Sequence, residues 1–135
     1  MTNNNLSPEL YRVIDANLNR LKEGIRVVEY LQRYLHNNKE LSHKLKSLRH
    51  LAIFDDIDAL LKHRDSINDV LRPSTQSEMD RASLKSIVIA NFKRAQESAR
   101  VLEELFKLHD AKDSEKFKHI RYELYDLEKK VVTNS

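Results

Sequence analysis

The segment Ala16 to Glu29, A-N-L-N-R-L-K-E-G-I-R-V-V-E, returns from Ala90 to Glu103 as A-N-F-K-R-A-Q-E-S-A-R-V-L-E. The shared pattern, A-N-x-x-R-x-x-E-x-x-R-V-x-E, has too many fixed positions for chance. An internal repeat constrains a fold more than any single residue, because each unit must be built alike. The match continues downstream: Lys44, Lys46 and Arg49 correspond to Lys116, Lys118 and Arg121. The chain thus reads as a tandem duplication of a helix pair. The expected fold is all-α, a four-helix bundle-like domain with a pseudo-twofold axis. Repeat one spans about 7–63, a loop 64–80, and repeat two about 81–132, within a single domain 1–135.

Each unit carries helical periodicity. Ser7-Pro8-Glu9 is a helix start, with an N-cap serine, proline at the first helical position and an acid in the first turn. The first helix is predicted to run to about Leu35, with a seam of Ile14, Leu18, Leu21, Ile25, Val28 and Leu35. His36-Asn37-Asn38 ends it. The second begins near Lys39, carries Leu41, Leu45, Leu48, Leu51 and Ala52, and is predicted to continue through Phe54–Asp58 to Leu61 or Lys62. Arg64 to Asp80 lacks helical periodicity, and loops of that length in compact domains are commonly functional. The third helix is predicted from Met79–Ser83 to Leu108, its seam being Val88, Phe92, Ala95, Ala99, Leu102 and Phe106. The alanines would let a neighbouring helix approach closely. The fourth runs from an N-cap at Ser114 to Val132, with Phe117, Ile120, Leu124, Leu127 and Val131 inward. Tyr30, Tyr34, Tyr122 and Tyr125 are expected to pack between helices.

Several classes are excluded. The net charge of +3 comes from 24 basic and 21 acidic residues. The two signs are interleaved, whereas a nucleic-acid binder clusters its charge. There is no cysteine, so thiolate sites and disulfides are out and a reducing compartment fits. No apolar run approaches the roughly 20 residues of a membrane span, and M-T-N-N-N is not a signal peptide. The expectation is a soluble cytoplasmic protein. With one glycine no glycine-rich phosphate loop can form, so a phosphate site would need side chains and helix N-termini. Glu40-x-x-His43 has the spacing of a di-iron helix but lacks its partner motif. His43 and His50 share a face and read as solvated.

The repeat's informative residues lie off the seam. At 100° per residue, Ala16, Arg20, Glu23 and Val27 fall opposite it and are identical to Ala90, Arg94, Glu97 and Val101. One reading is a solvated or interfacial ladder, Arg20–Glu23–Arg26–Glu29, worth a few tenths of a kcal/mol per pair. The other is a polar pocket on which two related Arg/Glu/Asn sets converge. There, arginines would grip phosphate bidentately and carboxylates would hold magnesium or act as a base. The matched Ala/Val face would also suit a homodimer.

D-A-N-L-N-R-L-K-E-G-I-R-V-V-E (Asp15 to Glu29), L-R-H (Leu48 to His50), S-E-M-D-R-A-S (Ser77 to Ser83) and N-F-K-R-A-Q-E-S-A-R-V-L-E-E (Asn91 to Glu104) resemble the all-helical domain at the N-terminus of some bacterial thiamine-phosphate synthases. The resemblance covers about residues 6–132. It implies thiamine biosynthesis, and a kinase that converts hydroxymethylpyrimidine phosphate to its diphosphate with ATP and magnesium. The (β/α) barrel of the fused proteins needs upward of about 200 residues and does not fit in this sequence. On this reading Arg20, Arg94, Arg26 and Arg100 take phosphate groups, supported by Arg49 and Arg121. Glu23 and Glu97 are the magnesium or base carboxylates, and Asn17 and Asn91 read the pyrimidine. Asp65, Asp69 and Arg81 close over the site. In the central loop the family pattern has R-D followed by D-V-G. Here Arg64-Asp65 and Asp69-Val70 are present, but Leu71 replaces the glycine, which questions a close backbone approach to phosphate. An alternative is therefore a non-catalytic module that binds the pyrimidine phosphate or dimerises beside a separate synthase. A remoter one is a chorismate-mutase-like enzyme, suggested by Phe54–Leu61 with Arg64 and disfavoured by the offset between Asn17 and Asn91.

Overall fold

A computed structural model describes residues 6–74 and 83–133. All regular elements among them are helical: α1 (Pro8–Tyr30), α2 (Lys39–Leu51), α3 (Ile57–His63), α4 (Leu84–Leu105) and α5 (Ala111–Thr133). Helices α1 and α4, the two bearers of the repeat, pack on each other. Helix α2 lies on α1, α5 on α4, α3 on α1, and α2 touches α5.

The α1–α4 contact is close for an identifiable reason. A Cβ on Gly24 would sit 2.9 Å from the carbonyl oxygen of Asn91 and 3.3 Å from Cβ of Ala95. A glycine inside a helix costs up to about 1 kcal/mol relative to alanine; here it admits the neighbouring backbone. Behind this contact the predicted seams are buried almost throughout, from Ile14, Leu21 and Ile25 to Phe92, Ala99 and Phe117. Phe106 stacks on Phe117 with centroids 5.2 Å apart, and Phe54 tilts against Phe106 at 5.3 Å.

The expected starts and stops are partly corrected. Ser7 Oγ accepts from the Leu10 amide at 3.3 Å, as predicted. Helix α1, however, ends in a π-helical turn, Leu31–Leu35, in which the His36 amide reaches back to the Leu31 carbonyl at 3.1 Å. A π turn widens the helical period and rotates the residues beyond it. Leu35 therefore leaves the seam and is 50% exposed, while Gln32 is turned inward at 4%. Helix α2 does not run on to Leu61. It stops at Leu51, which is exposed, and Asp56 caps the separate helix α3 through the Ala59 amide at 3.1 Å. The predicted Asp-rich continuation is thus a cap. Ser114 is not the cap of the last helix. Helix α5 starts at Ala111, and Ser114 is buried inside it, donating its hydroxyl to the Glu103 carbonyl at 2.8 Å. The four tyrosines are exposed, not packed between helices. Tyr30 meets Tyr34, and Tyr122 meets Tyr125, edge-on, with arginines laid over the rings.

Both halves close their helix pair with the same buried clamp. Arg49 Nε and Nη2 donate to Glu29 at 2.8 and 3.3 Å, and Arg121 Nε and Nη2 both reach Glu103 Oε1 at 2.9 Å. The side chains of Glu29 and Glu103 are 2% and 7% exposed. The Glu29 hydrogen bond raises the Arg49 pKa. Hydrogen bonds to Tyr125 and then to Glu103 raise that of Arg121. The clamps span 20 residues in repeat one and 18 in repeat two. The two extra residues fall in the α1–α2 corner, where the π turn and Asn37, at φ 51°, absorb them.

Candidate functional site

The segment after α3 is tied back onto α1. Arg64 Nε and Nη2 donate to the two oxygens of Asp15, both at 2.7 Å, and Arg12 Nη2 donates to the Asp65 carbonyl at 3.4 Å. The Asp15 hydrogen bond raises the Arg64 pKa. Asp65 accepts from the Asn68 side chain at 2.7 Å and its amide at 3.2 Å. These bonds hold the Asp65 carboxyl below the usual carboxylate range. Asp69 Oδ1 accepts from the Leu71 amide at 3.0 Å. Between this loop and α1 lies a cavity of about 810 Å³, lined by Glu9, Arg12, Val13, Asp15, Ala16, Asn17, Asn19, Arg64, Asp65, Ser66, Asn68, Asp69 and Val70. Four carboxylates face two guanidiniums, so the lining is net acidic. It suits an amino-bearing ring better than a bare phosphate.

Of the residues predicted from sequence, the cavity gathers Asn17, Asp65 and Asp69. Arg20 lies one turn beyond Ala16 on the same side of α1, and both are exposed. The outward surface of α1 continues through Glu23 and Val27, also exposed. On α4 its match carries Glu97, exposed, with Ala90, Arg94 and Val101 half-buried. The expected salt-bridge ladder is not formed. Arg26 donates to the Tyr30 hydroxyl at 2.8 Å and Glu29 is held by Arg49. Among the described residues Arg20, Glu23, Arg94 and Glu97 make no hydrogen bond or ion pair. Arg100 does, with Glu103 at 3.5 Å and Glu104 at 3.2 Å. Arg49 and Arg121, expected in support of the phosphate-binding arginines, are engaged in the two buried clamps. Arg81 lies outside the described residues.

Asn17 and Asn91 are posed alike. The Asn17 amide donates to the Val13 carbonyl and the Asn91 amide to the Ile87 carbonyl, each at 2.8 Å. Among the described residues neither side-chain oxygen has a hydrogen-bond donor. Asn17 opens on the cavity, whereas Asn91 is only 4% exposed.

Asp15, Arg12 and Arg64 were not among the predicted site residues. A signal for Asp15 was present: Ile89 occupies its place in repeat two, so the difference marks the half to which the loop is fastened. Leu71 adopts no positive φ, since Asn37 is the single described non-glycine residue that does. Its side chain is exposed and does not line the cavity. A smaller cavity of about 330 Å³ lies in the α1–α2 corner, lined by Arg33, Asn37, Lys39, His43 and Lys46 among others. It holds none of the predicted site residues.

Among the described residues no group of three or more His, Cys, Asp or Glu side chains could hold a metal ion by itself. Magnesium carried on substrate phosphates makes a smaller demand: it needs one or two carboxylates and otherwise keeps water. No helix among the described residues is long and apolar enough to cross a membrane.

Comparison with known proteins decides the family. The ThiD2 family model matches residues 12–130. The chain belongs to the ThiD2 family. It is similar to the thiamine-phosphate synthase of Nostoc punctiforme, 38% identical over 127 residues, covering 91% of this chain and 35% of the relative. That of Synechocystis sp. is 40% identical over 118 residues, covering 87% and 34%. That of Thermosynechococcus vestitus is 37% identical over 139 residues, covering 96% and 39%. The chain spans roughly a third of the length of these relatives. No solved structure matches it.

Proposed function

We propose that this ThiD2-family domain acts in thiamine biosynthesis as a phosphotransferase, making hydroxymethylpyrimidine diphosphate from the monophosphate and ATP. The observation that carries the reading is the combination of an acidic, amide-lined cavity with an unpaired arginine, Arg20, one turn away on the same face of α1. Arg20, Glu23, Arg94 and Glu97, unpaired among the described residues at matched positions of both repeats, are free to meet a ligand. A phosphorylated ring has two ends, and these are two environments to receive them.

The ring lies in the cavity. Asn17 and the loop carboxylates Asp65 and Asp69 meet its amino group and nitrogens. Asp15 and Arg12 act by fastening the loop, through Arg64 and the Asp65 carbonyl. The phosphate points along α1 to Arg20 and across to Arg94, with Arg26 and Arg100 behind. In the transfer, the bond between the terminal phosphorus of ATP and its bridging oxygen breaks. A bond forms from an acceptor phosphate oxygen to that phosphorus, and ADP leaves. A monophosphate is already an anionic nucleophile, so positioning and charge neutralisation are the main demands. Arginines supply both through bidentate contacts. Glu23 and Glu97 would hold magnesium, which neutralises phosphate charge when bound.

The test is ADP release from ATP-Mg by the purified protein, with and without hydroxymethylpyrimidine phosphate. Release that depends on the pyrimidine supports the kinase, and Arg20→Ala should abolish it while helicity is unchanged. Full activity in Arg20→Ala contradicts the assignment. No release, with a melting temperature still raised by the pyrimidine phosphate, would point to a binding module beside a separate synthase.

A further inference from the structure

We infer that the two repeats provide two related half-sites, the Asn17 end of the α1–α4 face taking the pyrimidine phosphate and the Asn91 end taking the adenine of the nucleotide. This rests on the kinase reading above and adds to it a place for each substrate. The observation is the identical pose of two asparagines related by the duplication. Each spends one amide N–H on the carbonyl four residues earlier, at 2.8 Å in both cases. That bond fixes the orientation of the amide and assigns which atom is oxygen. What remains on each is a second N–H donor and an oxygen with no donor. An amide presented in this way is complementary to an edge carrying an amino group beside a ring nitrogen. Asparagine reads adenine bidentately by this means. An aminopyrimidine offers the same pair of atoms, so one duplicated device can hold both rings.

Asn91 makes the case sharper, because it is buried. The side-chain oxygen of this 4% exposed residue has no donor among the described residues and little room for water to supply one. It is not fully enclosed, since among the described residues Ser98 Oγ is the one buried side-chain polar atom without a partner. A ligand amino group can supply the missing donor. On α1, Arg20 and Glu23 fall between Asn17 and Gly24, and Gly24 packs against Asn91 and Ala95 of α4, the residues on either side of Arg94. Phosphates entering from opposite ends would meet there, which is the juxtaposition a transfer requires.

The assignment of ends follows from the asymmetry. The loop and the Asp15–Arg64 pair enclose the Asn17 end in a net acidic wall. Such a wall favours the smaller ligand and repels a triphosphate. The Asn91 end carries Ile89 where the other has Asp15. It therefore lacks the anchor of that wall and leaves the more anionic nucleotide less repulsion.

Calorimetric titration of the full chain tests this, using hydroxymethylpyrimidine phosphate and a non-hydrolysable ATP analogue with magnesium, each alone. Wild-type protein should bind one equivalent of each. Asn17→Ala should weaken the pyrimidine phosphate about tenfold or more, the loss expected for a hydrogen-bonding amide, and leave the nucleotide within about twofold. Asn91→Ala should do the reverse. Because Asn91 is buried, Ala90→Leu at the half-buried neighbouring position provides a second variant. It should narrow the Asn91 end and weaken the nucleotide alone. If both ligands bind but depend on the same asparagine, or compete for one site, the half-site assignment is overturned while the kinase reading stands. If neither probe binds the wild-type protein, the kinase reading itself fails.

Discussion

Repeat one and repeat two keep the same buried clamp and the same Arg/Glu positions on α1 and α4, yet differ at the helix corner and at the anchor of the central loop. Glu29–Arg49 and Glu103–Arg121 close the two helix pairs with nearly the same contacts. The α1–α2 corner holds two residues more than its counterpart and needs a π turn and a left-handed Asn37 to do so. Asp15 anchors a loop, and Ile89 in the matching place cannot. The difference teaches a division of labour: what duplication preserved inside the molecule holds the fold, and what one half alone carries, the Asp15 anchor of the loop, encloses the cavity. The outward Arg/Glu sets belong to neither group. They are matched in both halves and paired in neither.

The largest effects should come from the clamps. Arg49→Ala leaves the buried Glu29 without its partner, and Arg121→Ala leaves the buried Glu103 only its long contact with Arg100 at 3.5 Å, so each should cost about 3–5 kcal/mol in denaturant unfolding, the second toward the lower end. Similar losses would uphold the equivalence of the halves, and a clear inequality would break it. Asp15→Asn separates fold from site. Its partner Arg64 has a side chain 43% exposed, so the stability loss should be smaller, about 1 kcal/mol. Affinity for hydroxymethylpyrimidine phosphate, followed by calorimetry, should fall sharply as the loop loses its anchor. An unchanged affinity would show that the loop does not shape the site.

The helix crossing offers a third comparison. Gly24→Ala places a Cβ against the Asn91 carbonyl and should destabilise by about 1–3 kcal/mol despite alanine's helix propensity. The duplication sets Ser98 in the place of Gly24, and its hydroxyl is buried without a partner. Ser98→Ala should therefore be neutral or stabilising by up to about 1 kcal/mol. Thermal melts of the two variants, moving in opposite directions, would confirm that the crossing is unequal on its two sides.

The smallest effect is in pH. The Asp65 carboxyl is held below its ordinary value by hydrogen bonds from Asn68. Its contribution to loop order is thus fully present above the unfolded carboxylate value of 3.8 and is lost as pH falls through the lower folded value. An NMR titration of the Asn68 amide should show no change from neutral pH down to about that value and a shift below it. A midpoint above it would mean that the turn does not stabilise the carboxylate.

Much of this architecture was legible in the sequence because it depends on local periodicity. The seams of α1, α4 and α5 follow from apolar spacing, and the outward position of Arg20 and Glu23 from the same wheel. What escaped was non-local or depended on a change of helical type. The π turn that expels Leu35 in favour of Gln32 leaves no mark in a period of 3.6 residues. The roles of Arg49 and Arg121 turn on carboxylates 20 and 18 residues away, where a repeated arginine reads equally well as a ligand. Asp56 as a cap was hidden in an acidic run that could also continue a helix. Of the cavity's lining, Asn17, Asp65 and Asp69 are residues the sequence singles out, but the Asp15–Arg64 bond that unites loop and helix spans 49 residues, and only the broken match with Ile89 hinted at it.

The most direct test of the central claim, that the loop-bearing end of the α1–α4 face receives the phosphorylated ring, is an amide NMR titration with hydroxymethylpyrimidine phosphate. Shifts should concentrate at Asn17, Arg20, Asp65, Asn68 and Asp69, with the corner residues Asn37 to His43 unmoved. Shifts centred on that corner, or none at saturating ligand, would contradict it.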